Sequence, residues 1–331
     1  MTRAFLLVAC AAVAALTLAG CSTTPAQGNP SLPPGFQEAK APDAGFSGYL
    51  YASQGSPVSL PTKWFVDLSG ATSTLPFAAA GDSFEVAQLS VGAGPDIDSF
   101  GGNIVFESET EAGIATSALS TQHQVMVWQD GKDVGLVHGT GDWAAAAKGI
   151  LQADGQATFA EAYPEAWDML RMLPQAPPDP PVAAGFAKIE GGILEQASSR
   201  IQVGMEGVTQ ALGLLQVSQV SFIVYSAGNL SVKDTIGPEY LKERGISAAA
   251  AMHSGYPDVL LGTFLDAFAS QAGLEKGNQI AGQDVLTRDV GAAYIIVKPV
   301  GNTVFLTVSP DRTKAEALMT AILEQQAKGK G

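Results

Sequence analysis

Short alternating runs of apolar and polar residues recur along most of this chain, separated by stretches with helical spacing. Alternation over about 4–8 residues argues a half-buried strand, whereas apolar positions at i, i+3, i+4 and i+7 argue a helix. On that basis residues 63–68, 84–91 and 103–107 read as strands, 71–80 as a short helix and 110–120 as a longer one. Residues 124–129 and 133–138 read as a hairpin turning at Asp130-Gly131. Asp142 reads as the N-cap of a helix over 143–151. Further on, 182–189, 220–225 and 248–253 read as strands and 192–215 as mostly helical. The clearest helix is 258–271, where Leu261, Phe264, Leu265 and Phe268 share a face and Gly273 stands past the end. Strands over 280–289, 292–299 and 303–308 follow, the last two joined by a type II′ turn at Gly301-Asn302. A final helix opened by Asp311 runs to about Gln325.

The stretch Gln175-Ala176-Pro177-Pro178-Asp179-Pro180-Pro181 has four prolines in seven residues, so it continues neither a helix nor a central strand. Each side of it reads approximately as β-α-β-β-α-β-β-α. The expected class is therefore α+β, with two domains of similar topology, each an antiparallel-rich sheet with helices packed on one face. Their bounds are 47–173 and 182–326, with a Pro-rich linker over 174–181 and a disordered tail over 327–331.

The N-terminus follows a different pattern. Arg3 supplies a positive charge, and Ala4 to Gly20 is uncharged and almost wholly apolar. This is the layout of a signal peptide, 1–20, and it is short for a membrane span. Its ending, Leu18-Ala19-Gly20-Cys21, resembles the lipobox of bacterial lipoproteins. That resemblance covers residues 1–21. It implies cleavage between Gly20 and Cys21, acyl chains such as palmitate on Cys21, and a partner in the lipid bilayer on the extracytoplasmic side of a bacterial envelope. Residues 22–46 lack periodicity and are rich in Pro, Gly and Ser, so 21–46 reads as the lipidated cysteine and a flexible tether. A free segment of that length reaches about 25–30 Å.

Composition narrows the picture further. Of the two cysteines, Cys10 falls in the signal, leaving Cys21 alone in the mature chain. No internal disulfide and no Cys/His metal cluster follow from that count. The net charge is −14, and it is unevenly placed. Residues 47–173 hold 15 acidic and 4 basic side chains, a balance of −11, while 182–331 hold 14 and 12, a balance of −2. Nucleic acid is disfavoured as a partner, because phosphate binding needs a basic surface.

No stretch of the mature chain names a chemistry. The fragment Val224-Tyr225-Ser226-Ala227-Gly228 lacks the first glycine of a hydrolase elbow. The histidines are His123, His138 and His253. His138 alternates with Val134 and Leu136, as a half-buried structural imidazole does. His253 precedes Ser254, but neighbours on a strand point to opposite faces and make a poor base and nucleophile pair. The acidic runs Asp96/Asp98 and Glu107/Glu109/Glu111 lack EF-hand spacing and read as solvated acids. Trp64, Trp128, Trp143 and Trp167 read as core. The sequence therefore predicts no metal, no cofactor and no catalytic residue. It favours a non-catalytic binding or envelope-structural lipoprotein, then a carrier or sensor of a lipid or other apolar ligand, then an exported hydrolase.

Overall fold

Alternation of apolar residues on two sides of the strands builds, among the described residues, one antiparallel sheet of twelve strands in the computed structural model of the protein. The structure describes residues 32–37, 39, 41, 46–60, 84–94, 99–120, 125–139, 141–153, 157–174, 176–189, 215–226, 242, 245–257, 261, 266–270, 272–289, 291 and 293–328. The first half comprises β1 (Gly48–Leu60), β2 (Phe84–Ala93), β3 (Phe100–Phe106), β4 (Val125–Asp130) and β5 (Asp133–His138). Its helices are α1 (Glu109–Leu119), α2 (Gly141–Gln152), α3 (Phe159–Ala162) and α4 (Pro164–Arg171). The second half supplies β6 (Pro181–Lys188), β7 (Gln219–Tyr225), β8 (Ser247–His253) and β9 (Glu275–Ile280). It continues with β10 (Gln283–Asp289), β11 (Tyr294–Val300), β12 (Thr303–Ser309) and α5 (Arg312–Lys328).

The strands lie in the order β4-β5-β3-β2-β1-β6-β7-β8-β12-β11-β10-β9. The halves meet at the middle of the sheet, where β1 and β6 pair antiparallel from Gly48 opposite Ala187 to Ala52 opposite Ala183. The backbones come so close there that a Cβ on Gly185 would strike the Tyr49 carbonyl oxygen. The sheet is thus continuous across the Pro-rich segment. That segment is itself tied down: Lys314 Nζ of α5 donates to Asp179 Oδ2 at 2.7 Å, and the Ser226 N–H donates to the Pro180 carbonyl at 3.1 Å.

Helices cover both faces, which corrects the expectation of helices on one face. In β1, Leu50 and Ala52 enter one core while Tyr49 and Tyr51 enter the other. The first face is packed by Ala112, Ala115 and Leu119 of α1, and by Leu261, Phe268, Ala269 and Ala272. The second face is packed by α3, α4 and α5. Helix α5 does this with Ala315, Leu318, Met319, Ile322 and Leu323, an i, i+3, i+4, i+7, i+8 stripe. Helix α2 lies opposite α1, since its Ala144, Ala147 and Leu151 pack on Val137, whereas Val134 and Leu136 face the α1 side.

Several expected boundaries shift. Helix α2 begins at Gly141, so Asp142 lies in its first turn rather than capping it. Helix α5 continues to Lys328, past the start of the expected tail at 327. The strand expected over 280–289 is a hairpin, β9 and β10, turned at Ala281 and Gly282 with φ +50° and +71°. Those two positive φ values are what a type I′ turn requires. At Gly301 φ is +63° and Asn302 is not in the positive region, in agreement with the type II′ turn read from the sequence. The strand expected over 63–68 and the helix over 71–80 lie outside the described residues, as does the helix expected over 192–215 except for Leu215, which is in a turn.

Candidate functional site

The expected lipidation site, Cys21 with the cleavage position after Gly20, lies outside the described residues, as do Asp96, Asp98, His123 and Trp64. What the structure does describe is how the chain downstream of Cys21 joins the body. Leu32, Phe36, Ala39, Ala41 and Phe46 are all buried in the second-face core. The Ala41 N–H donates to the Ala157 carbonyl at 2.9 Å and the Phe159 N–H donates to the Ala39 carbonyl at 3.1 Å, a short ladder that fixes this strap beside α3. The flexible tether expected over 21–46 is corrected accordingly: its described end, from Leu32 onward, is fastened to the sheet.

Aromatic residues from four elements make the seat for the strap. The Phe36 ring packs edge-on to Tyr51 at 5.4 Å, tilted on Phe159 at 4.7 Å and stacked with Trp167 at 6.1 Å. Behind them Tyr163 packs on Phe186 at 4.6 Å and Tyr49 on Phe159 at 5.3 Å. The Tyr51 hydroxyl donates to the Pro34 carbonyl at 2.9 Å. Gly35 sits over that hydroxyl with φ +78°, where a Cβ would lie 2.6 Å from the oxygen, so the strap turns here on glycine. Burial pushes the Tyr49 phenol well above its ordinary ionisation range, which keeps it neutral in this seat.

The second face also carries polar side chains in register. Lys188 is opposite Gln219, one step beyond Val220 opposite Met252 puts Gln219 beside His253, and His253 is opposite Thr303. The Thr303 hydroxyl and His253 Nδ1 are 3.0 Å apart. Gln219 Nε2 and Ser221 Oγ, buried on the same side of β7, have no hydrogen-bond partner among the described residues. The sequence reading missed this row, because only strand register brings residues so far apart in the chain to one line. Ser254 takes no part in it. Its Oγ donates to the Leu215 carbonyl at 2.8 Å and accepts the Tyr256 N–H at 3.2 Å, so the hydroxyl shapes a loop. His253 and Ser254 are not brought together as base and nucleophile.

The remaining candidates have structural partners. His138 is buried and stacked on Phe100 at 5.3 Å, as the alternation predicted for a structural imidazole. Ser108 Oγ accepts the Glu111 N–H at 3.2 Å and donates to the Glu111 carboxylate at 3.0 Å, and Glu109 and Glu111 lie in the first turn of α1. Acids there favour the helix dipole. Among the described residues no group of three His, Cys, Asp or Glu is placed to hold a metal ion. Trp128, Trp143 and Trp167 all pack against the cores, as expected. Among the described residues no helix is long and apolar enough to cross a membrane.

No family model matches this chain. No curated protein matches it either. Among solved structures, crystal form I of TP0453 is similar over 86% of this chain and 99% of that one, with 8% identity and a TM-score of 0.41. At that score the likeness carries no argument about fold or function.

Proposed function

We propose that this chain is an exported bacterial lipoprotein, cut between Gly20 and Cys21 and held to the membrane by acyl chains on Cys21, with a non-catalytic binding or envelope-structural role. The observation that carries this reading is the sequence Leu18-Ala19-Gly20-Cys21 behind a charged and then apolar leader. The buried strap fits it. Eleven peptide steps separate Cys21 from Leu32, the first buried strap residue, and fully extended they span at most ~40 Å. A body fastened there stays close to the bilayer that holds the lipid, on the extracytoplasmic side.

The finer architecture belongs to the same proposal. Outward from the centre, the first half runs β1-β2-β3-β5-β4 and the second β6-β7-β8-β12-β11-β10-β9. In each, three strands are laid outward in order, and the last strand of the half returns beside the third. Two units of one topology, joined edge to edge as a single sheet, account for that order. A second functional reading, a carrier of an apolar ligand, is favoured by the aromatic seat beneath Phe36, which an acyl or aromatic group could occupy in place of the strap.

Mass spectrometry of the mature N-terminus tests the first reading. The expected result is a diacylglyceryl-modified Cys21 as the first residue, and a Cys21→Ser chain that is neither lipidated nor processed. An unmodified Cys21 in the wild-type chain overturns the assignment. Native mass spectrometry that retains an apolar small molecule shifts the weight to the carrier.

A further inference from the structure

The two edges of the sheet are finished differently. Edge strand β9 exposes Glu275, Lys276 and Gly277, holds Gly277 at φ +100°, and breaks register with β10 between Val285 and Thr287. Charge and a bulge are what keep an open edge from pairing. Edge strand β4 has no bulge and carries charge only at its last residue, Asp130. Val125, Met126, Val127 and Trp128 are apolar and half-buried, no proline or charge occurs before Asp130, and the ladder to β5 is unbroken from Val125 opposite His138 to Asp130 opposite Asp133. Both of its faces are occupied: Val125 and Val127 pack on the α1 side, Met126 and Trp128 on the α2 side. The Trp128 ring lies over Gly135, where a Cβ would collide with the indole. Only the lateral backbone is left without a neighbouring strand among the described residues.

We propose that β4 is the interface of a homodimer, in which two copies pair β4 with β4 antiparallel about Val127. An open edge accepts an extended segment, and β4 is complementary to itself. A two-fold axis at Val127 sets Val127 opposite its own copy, Met126 opposite Trp128 and Val125 opposite Gln129. Each pair lies on one face, and none opposes like charges. The molecule already contains such a junction, since β1 and β6 meet through uncharged edges, Gly48–Ala52 against Ala183–Ala187. The axis is normal to the sheet, so both straps fall on the same side. If Cys21 is lipidated as proposed above, both anchors then reach one bilayer, although the pairing itself does not depend on lipid. Five residues a side make a small interface, and the acidic halves repel. The dimer is therefore concentration-dependent and favoured by salt.

Disulfide trapping in the full-length chain, in its own membranes, tests this. Opposed residues of an antiparallel pair lie within disulfide reach, so on mild oxidation Val127→Cys should yield about fivefold more covalent dimer than wild type or the β9 control Lys276→Cys. Wild type accounts for Cys10 and Cys21. Raising the salt should increase the trapped fraction, and Val127→Lys, which opposes two cations, should abolish the dimer seen by chemical crosslinking. The cysteine variants keep the test valid if the lysine disturbs packing on the α1 side. Equal trapping at 127 and 276, a trapped fraction that falls with salt, or crosslinking of position 127 only to a different protein overturns the homodimer.

Discussion

Gly185 shows how much rests on single atoms at the centre of this sheet. It lies opposite Leu50 and Phe222, between β1 and β7, with the Tyr49 carbonyl where a side chain would begin. Backbone cannot step aside as a flexible side chain can, so Gly185→Ala should cost about 3 kcal/mol or prevent folding, as overpacking does. Gly149 of α2 is the control, because nothing lies within 4 Å of its missing Cβ. Gly149→Ala should instead stabilise by roughly 0.5–1 kcal/mol through helix propensity. Chemical denaturation of the two variants decides the point, and a neutral Gly185→Ala would mean that the β1–β6 contact is looser than described. The strap offers a second comparison. Tyr51→Phe removes one hydrogen bond, to the Pro34 carbonyl, and should cost about 1 kcal/mol. Phe36→Ala empties a site with no exposed surface and should cost about 3–5 kcal/mol. If Phe36→Ala leaves the melting temperature unchanged, the strap is not part of the folded core.

At the scale of elements, the loop between α2 and β6 is where local chemistry is easiest to isolate. Thr158 and Glu161 form a capping box at α3: the Thr158 N–H and hydroxyl both donate to the Glu161 carboxylate, at 2.8 and 2.9 Å. These bonds, the backbone one foremost, hold the Glu161 carboxyl below the usual carboxylate range. A depressed pKa contributes stability that is present above the unfolded value and is lost as pH falls through the folded one. Glu161→Gln should therefore be less stable than wild type at neutral pH, with the gap closing in acid. A gap that stays constant down to the acid transition would show that the carboxylate's charge is irrelevant to the cap. Elements of this kind also show which parts of the fold were legible. Strands such as β7, β8, β11 and β12 were readable because their apolar runs are dense and end at turns. Strand β1 was not, because Gly55-Ser56-Pro57 imitates a turn, whereas in the structure its register merely shifts between Ser53 and Val58. Strand β9 was missed because Glu275 to Gln279 is polar on both sides, as an edge can be. Helices α3 and α4 were missed because Pro164 divides them, and each is short.

At the scale of the molecule, the junction between the halves was hidden for a physical reason. No turn links β1 to β6, and the residues that meet there are mostly small and uncharged, so nothing local announces the pairing. The Pro-rich stretch, by contrast, looks like a boundary because its backbone cannot join a central strand, yet Asp179 and Pro180 tie it to α5 and β7. The candidate site divides the same way. Cys21 is legible as a contiguous motif, whereas the row from Lys188 to Thr303 exists only through register. The continuous sheet predicts how the protein should come apart. The chain from residue 21 onward should unfold in one cooperative transition, with calorimetric and van't Hoff enthalpies in agreement. Expressed alone, 47–173 and 182–331 should each lose the β1–β6 ladder and expose a central edge whose ladder residues are uncharged. The first fragment would also lose the strap residues Leu32 and Phe36 that cover Tyr51 and Phe159. Isolated, the fragments should therefore associate or melt at least about 10 °C lower, since for a domain of this size each 1 kcal/mol removed lowers the midpoint by about 2–4 °C. Mixed in equal amounts, they should recover a single transition, still below that of the whole chain because the strap is missing from the first fragment. Two independent transitions in the intact protein, matched by two fragments that melt unchanged on their own, would show that the sheet is continuous in geometry but divided in energy.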